Sequence, residues 1–530
     1  MKTQQKRIGI WTALVLTALT AQAKPLVFCS EAEPEGFDYA MFTASSTYNA
    51  ASATIYNRLV EFETGGTRLV PGLAESWTVS PDGLQYTFKL RRGIKFHSTD
   101  WFKPTRTLNA DDVLYSFRRQ LDPKHPGARA SPQGWPYAES MSMAALVASI
   151  DKLDDLTVRF TLKSPEAPFL SNLAMGFANI VSAEYAGQLE AAGQPGRINT
   201  QPIGTGPFIF KRYEKGAQIR YEANPDYWRG RQPIEKLIFA ITPDPAVRAQ
   251  KLKAGECNFI SYPKPADMVE LKRDPRLHVD TQSSLSVAYL AFNTERKPFT
   301  DKRVRQALAL ATDKEAISRS VFEGYAKPAH LPLPSQMWSY AKSIQPYRPD
   351  LARAKKLLAE AGYPQGFQTR IWVRIGGGGA NPNSRLTAEL IQADWAKIGV
   401  KAEVVALEWA ELLRRTKAGE HEVTINGWAS DNGDPDNFLT PNLSCVAARN
   451  GENRARWCNP KFDALLNQAR VSNDTALRSK LYQQAQAIFI EEMPWITLVE
   501  PLVSVVYSKN VVGFKQNPFL NIGFSGVAVK

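Results

Sequence analysis

Histidine and cysteine are both scarce in this chain of 530 residues, numbering five and four, and neither is arranged for catalysis or for metal. His97, His125, His278, His330 and His421 are scattered and read as single surface residues. His421-Glu422 has Ile425 where a zinc-peptidase helix needs its second histidine. No CxxC pair exists and no histidine accompanies the cysteines, which argues against a structural zinc site. A GxSxG nucleophile elbow is missing as well, since Gly523-Phe524-Ser525-Gly526 breaks its spacing. Nor is there a phosphate cradle: in Ile203-Gly204-Thr205-Gly206-Pro207-Phe208 the proline removes an amide where a nucleotide needs donors, and a turn between lobes is the better reading. Runs of one charge are lacking. The net charge of +13 comes from 65 basic and 52 acidic residues interspersed along the chain, which describes a solvated basic surface and not a nucleic-acid groove.

What is present begins with an export signal. Lys2, Lys6 and Arg7 precede an uncharged apolar segment over residues 8–20, and Ala21-Gln22-Ala23 supplies the small residues a signal peptidase needs. The segment is short for a membrane span. Cleavage is expected after Ala23, and with no cysteine at the cut the mature chain is expected to be soluble in the periplasm of a two-membrane bacterium. Removing 23 residues leaves 507 and takes away three positive charges, so the mature net charge is +10. That length exceeds what one core serves and points to two or three lobes. An even number of cysteines in an oxidising compartment implies disulfides, and Cys29, Cys257, Cys445 and Cys458 allow three pairings.

Several elements are legible from pattern. Ser80-Pro81-Asp82-Gly83 leads into alternating Tyr86, Phe88 and Leu90, a β-hairpin signature. Phe96-His97 reads as a strand end, and Asn109 as the cap of a helix through Phe117. Asp350 caps a helix with the apolar stripe Leu351, Ala354, Leu357, Leu358 and Ala361, ended by Gly362 and Pro364. Leu386, Leu390, Ile391, Trp395 and Ile398 share one face of a second helix. Each is followed by a strand pattern (369–373 and 400–407), the alternation of an α/β lobe. A last helix over 474–492 stops before Pro494, and the strand over 495–506 returns to the first lobe. A chain whose end rejoins its beginning crosses between lobes twice, which makes a hinge.

The most informative stretch is Gly427-Trp428-Ala429-Ser430-Asp431-Asn432-Gly433-Asp434-Pro435-Asp436-Asn437-Phe438. Val423, Thr424 and Ile425 read as a strand that delivers Trp428 and then Asp431 into a turn kept tight by Gly433 and Pro435. One carboxylate beside an aromatic wall suits a small cationic group. Asp434, Asp436 and Asn437 read as side chains capping their own turn.

This stretch closely resembles the corresponding segment of the periplasmic dipeptide-binding proteins of ATP-driven peptide permeases, within the peptide/nickel solute-binding family, family 5. The order of other words resembles it too: Leu59-Val60-Glu61-Phe62, Pro71-Gly72-Leu73-Ala74-Glu75-Ser76-Trp77, Ser80-Pro81-Asp82-Gly83, Asn109-Ala110-Asp111-Asp112-Val113, the segment over 203–208, and Asn224-Pro225-Asp226-Tyr227-Trp228. The resemblance spans nearly the whole mature chain. It implies an α/β, two-lobed, hinge-connected periplasmic-binding-protein fold with an inserted subdomain: lobe I from 24–55, 205–285 and 503–530, the insertion over 56–204, and lobe III over 286–502. It implies the pairings Cys29–Cys257 and Cys445–Cys458. It implies that Asp431 meets a peptide's α-ammonium next to Trp428, that Gly427, Ala429 and Ser430 offer backbone groups for strand-like pairing, and that Ala44 and Ser45 add contacts from the opposite lobe.

One position departs from the family. Dipeptide binders carry an arginine for the peptide carboxylate, and the matching position here is Gly378, in the word Gly378-Gly379-Ala380-Asn381-Pro382-Asn383. Losing such a contact costs roughly 1.5–3 kcal/mol, so either Arg374 or Arg385 substitutes, or the opened pocket admits peptides longer than two residues. The expected function is capture of short peptides for inner-membrane ABC permease subunits by a monomer with no cofactor, no bound metal, no nucleic-acid partner and no catalysis of its own. The rivals are a family member that binds haem, glutathione, a nickel chelate or a sugar-like solute, and a periplasmic peptidase or chaperone.

Overall fold

A computed structural model describes residues 25–375, 380–407, 409–450 and 452–530. The signal segment and the glycine run over 376–379, Gly378 included, lie outside the described residues.

Among the described residues twelve strands form one mixed sheet, and its order shows why the end of the chain matters to its beginning. The strand Trp495–Ser508 runs through the middle. Its first part pairs antiparallel with Ser286–Phe292, and its second part with Leu277–Ser283 and Phe259–Ser261. On one side follow Val423–Ala429, Gln368–Arg374 and Lys401–Leu407; on the other follow Leu26–Ser30, Lys236–Ile241, Gln218–Ala223 and Phe208–Glu214. The fold is therefore two-lobed and α/β, and within this sheet the chain passes between the halves at Ser284-Leu285 and near Glu500-Pro501. The passages are bonded to each other, since Ser284 donates to the Pro501 carbonyl from its hydroxyl at 3.1 Å. A separate antiparallel sheet holds Ala74–Val79, Gln85–Leu90, Thr157–Leu162 and Val147–Asp154.

Local chemistry accounts for the elements. Tyr86, Phe88 and Leu90 are all buried, and Gly83 has the positive φ of 71° that its turn requires. Asn109 caps Ala110–Leu121 in a reciprocal box with Asp112. Asp350 caps Leu351–Glu360, Asn383 caps Ser384–Ala396, and Asp474 caps Thr475–Glu492. Gln368–Arg374 and Lys401–Leu407 are parallel, as strands joined through a helix must be. Ile371, Val373, Val423 and Ile425 bury one sheet face under these helices, while Val287, Tyr289 and Ala291 on the other face meet Phe438, Leu439 and Phe489.

Three expectations need correction. Leu351 is 39% exposed, so the stripe on its helix is narrower than the periodicity suggests. Phe96 and His97 lie in an irregular segment and not at a strand end, because the His97 N–H bonds the Gly204 carbonyl and its ring bonds the Gly206 carbonyl, both at 2.9 Å. His97 and His421 are not surface residues. They are buried, with Nε2 of His421 2.7 Å from the Arg454 carbonyl, and burial pushes both imidazoles down to about 4, which keeps them neutral. The disulfides Cys29–Cys257 and Cys445–Cys458 are both formed.

Candidate functional site

The strand Val423–Ala429 extends further than its sequence suggests and takes Gly427, Trp428 and Ala429 into regular pairing with Ser286–Phe292. The Ser430 N–H donates to the Leu285 carbonyl at 2.8 Å. Alternation in an antiparallel ladder then directs the amide groups of Ala429 and Gly427 to the other edge, where pairing with Gln368–Arg374 ends at Trp372 opposite Thr424. Two backbone units of the expected three thus face the edge where, among the described residues, pairing with Gln368–Arg374 has ended. The Ser430 N–H is already engaged.

A turn follows. Gly433, with φ 71°, donates to the Ser430 hydroxyl at 2.9 Å. Asp434 accepts from the Asp436 N–H at 2.9 Å and forms a buried ion pair with Arg478 at 2.8 Å. Asp434 is therefore committed to the turn and its anchor. Asn437 reaches back instead: its Oδ1 accepts from the Asp431 N–H at 3.0 Å, and its Nδ2 stands 3.5 Å from Asp431 Oδ2.

Asp431 receives its other hydrogen bond from the Tyr137 hydroxyl, at 3.2 Å to Oδ1. Tyr137 lies 3.3 Å from the Tyr39 hydroxyl, which also donates to the Thr43 carbonyl at 3.2 Å. Among the described residues no lysine or arginine pairs with Asp431. Burial pushes its carboxyl up to about 6, against the lowering effect of the Tyr137 and Asn437 hydrogen bonds. Part of the Asp431 surface remains open, and it borders a cavity that is itself partly open. That cavity leaves about 70 Å³ to the centres of water molecules, room for several waters at roughly 10–15 Å³ each. Tyr39, Tyr48, Tyr137 and Phe519 give it aromatic walls, and Ser45, Ala429 and Ser430 line it with Asp431.

The expected residues are thus only partly assembled. Asp431, Ala429, Ser430 and Ser45 border one cavity. Trp428 does not: it alternates onto the sheet face opposite Gly427 and packs toward the Phe438 and Leu439 cluster. Gly427 stands where a Cβ would fall 2.2 Å from the Ala380 methyl and 3.0 Å from the Val287 carbonyl, so its missing side chain admits the Ala380 segment. Ala44 is the N-cap of the short helix Ser45–Ala50, its carbonyl accepting from Tyr48. Arg374 ends its strand away from this cavity, 4.7 Å over the Trp409 ring. Sequence reasoning missed Tyr39, Tyr48, Tyr137 and Phe519, which come from distant segments and share no periodicity.

Residues 68–450 match the model of the bacterial extracellular solute-binding proteins, family 5 middle. The chain is 53% identical over 527 residues to di/tripeptide-binding protein 4 of Pseudomonas aeruginosa, with 99% of each chain covered. Among solved structures it is similar to HbpA2 from Haemophilus parasuis, with a TM-score of 0.89 and 46% identity over 96% of this chain and 100% of that one. It is also similar to a dipeptide-binding protein from a Pseudoalteromonas species in complex with Met-Leu, with a TM-score of 0.85 and 38% identity over 96% and 100% of the two chains. A family match over most of the chain, with relatives this similar over nearly all of it, makes the conclusion direct: the chain belongs to the bacterial extracellular solute-binding proteins, family 5.

Proposed function

We propose that this protein captures peptides of two or three residues, and somewhat longer ones, in the periplasm and delivers them to inner-membrane permease subunits powered by their own ATPase. It catalyses no reaction. In this reading the first 23 residues are removed on export; lobe I is built from 24–55, 205–285 and 503–530; and residues 56–204 form a subdomain beside lobe III, 286–502. The observation that carries the reading is Asp431, a desolvated carboxylate at a partly open cavity, with no cationic partner among the described residues. A buried charge without a counter-charge is costly, and a peptide's ammonium restores the balance while filling the cavity. The outward amide groups of Gly427 and Ala429 suit a ligand with a peptide backbone, because strand-like pairing holds any sequence alike. The similarity to a di/tripeptide-binding protein and to a structure holding Met-Leu supports the same ligand class.

Calorimetry on the purified protein tests this. Di- and tripeptides with free amines are expected to bind, their N-acetylated forms much more weakly, and Asp431→Asn to weaken the free-amine forms roughly 10- to 100-fold. Heat with haem or glutathione and none with any peptide, or the appearance of cleavage products from a labelled peptide, would overturn the reading.

A further inference from the structure

Beside the Asp431 cavity the structure holds a second and larger one. It leaves about 140 Å³ to the centres of water molecules, against about 70 Å³ for the first, which is room for roughly ten waters at about 10–15 Å³ each. Tyr48 and Asn521 line both, so the two cavities adjoin. Capture of a peptide amine at Asp431 makes no use of the second.

The charges around this second cavity do not balance. Arg229 and Glu61 pair in its lining at 2.6 Å, and Glu61 takes a further bond from the Asn57 amide at 2.8 Å. Glu63 is taken by Arg68 at 2.5 Å. Burial works against the charge on Glu61, but Arg229 and then Arg58 hold its carboxyl below the ordinary 4.5. One buried carboxylate therefore serves two guanidiniums. Arg58, only 7% exposed, lines the cavity without an ion pair of its own among the described residues. Lys515, likewise without an ion pair there, adds a positive charge on the exposed side.

Hydrogen bonding singles out one edge of Arg58. Its Nη1 donates to the Ser52 carbonyl at 3.4 Å and to Asn179 Oδ1 at 3.2 Å. Its Nε is buried without a partner, and its Nη2 makes no hydrogen bond among the described residues. Nε and Nη2 form the edge of a guanidinium that takes both oxygens of a carboxylate in parallel. A desolvated cation with that edge unspent is costly until an anion completes it.

We propose that this second cavity is an anion site for a small carboxylate, gripped by the Nε–Nη2 edge of Arg58 and drawn in by Lys515. The carboxylate has two sources: a free organic acid, or the acidic side chain of a peptide whose amine lies at Asp431, since the cavities adjoin. The second source rests on the peptide reading and the first does not.

Calorimetry with succinate, its diamide, and the peptide pairs Glu-Ala with Gln-Ala and Ala-Glu with Ala-Gln separates these sources. Heat with succinate and none with the diamide identifies a free acid as ligand. A glutamate peptide bound roughly 10- to 100-fold more tightly than its glutamine partner identifies the side chain. In either case Arg58→Gln should abolish the advantage of acid over amide, and Lys515→Ala should reduce it roughly two- to fivefold. No heat with succinate, together with equal affinities within both peptide pairs, overturns the anion site and leaves the peptide reading standing. Heat with succinate and none with any peptide does the reverse, and no heat with any of these ligands overturns both. An acid preference that survives in Arg58→Gln also overturns the site. If that variant fails to fold, Lys515→Ala decides at an exposed position, where an unchanged preference is the overturning result.

Discussion

The Tyr137 hydroxyl donates to Asp431 Oδ1 at 3.2 Å although the two residues are 294 positions apart, and it thereby links the short helix Pro136–Ser140 to the turn that follows the strand Val423–Ala429. That bond favours the ionised carboxylate, against burial. Tyr137→Phe should therefore raise the Asp431 pKa above its value of about 6. Peptide affinity measured by calorimetry across pH 5–8 should lose its acid midpoint at a higher pH than the wild type, while affinity at the top of the range drops only a few-fold. An unchanged midpoint would show that the hydroxyl does not govern this carboxylate.

Asp431 also sets a stability that opposes its use. Its folded pKa, about 6, lies above the ordinary 3.8, so the folded state binds the proton more tightly than the unfolded chain. The penalty for ionisation is fully present above pH 6 and disappears as pH falls toward 4. Two units correspond to about 3 kcal/mol at most. Asp431→Asn should then melt higher than the wild type at pH 8, with the gap closing by pH 4, while peptides with free amines lose affinity for the variant. Below pH 6 the wild type should itself lose amine affinity, by up to about tenfold per pH unit. Thermal melts and calorimetry on the same samples would show the two effects with opposite signs.

Both changes act on a residue that the sequence made conspicuous, whereas its surroundings were not legible. Alternation at Tyr86, Phe88 and Leu90 and the caps at Asp350, Asn383 and Asp474 are local properties, and the elements form where those residues place them. Trp428 was misplaced for a physical reason: it is near Asp431 in sequence, but the strand continues through Ala429, and alternation turns the indole to the face packed by Phe438. Tyr39 and Tyr137 stand 98 positions apart and meet only through tertiary packing. No spacing within either segment announces that contact.

Gly427 offers a test of packing next to the edge where, among the described residues, pairing with Gln368–Arg374 has ended. A β-carbon there would lie 2.2 Å from the Ala380 methyl and 3.0 Å from the Val287 carbonyl, and the second contact is to the backbone of a paired central strand. Ala380 has to give way. Gly427→Val should displace the segment that leads into the Ser384–Ala396 helix, destabilising the fold by about 1–3 kcal/mol and weakening peptide binding beyond that loss. Hydrogen exchange should show the new mobility at residues 380–383; protection unchanged there would mean that Ala380 does not rely on the missing side chain.

A second long-range contact joins the segment that follows the strand Thr157–Leu162 to the helix Pro460–Arg470. Arg470 bonds Glu166 from Nη2 at 2.9 and 3.1 Å, and the Arg470 carbonyl accepts from the Ala167 N–H at 2.6 Å. The Glu166 side chain is only 8% exposed, and burial pushes its carboxyl up to about 7 while Arg470 pulls it down. With Arg470 removed, this arrangement holds a desolvated glutamate facing Asp436 with no counter-charge, whereas parting the two segments returns both carboxylates to water. Arg470→Ala should therefore favour the open state and weaken peptide binding roughly 10- to 100-fold, taking a charged hydrogen bond as about 1.5–3 kcal/mol. The loss should lie mainly in dissociation, because an open cleft still admits peptide at the same rate. Adding Glu166→Gln removes the stranded charge and should restore part of the affinity. Stopped-flow kinetics on the single and double variants would test this; a slower association rate with dissociation unchanged would assign the pair to ligand entry and not to closure.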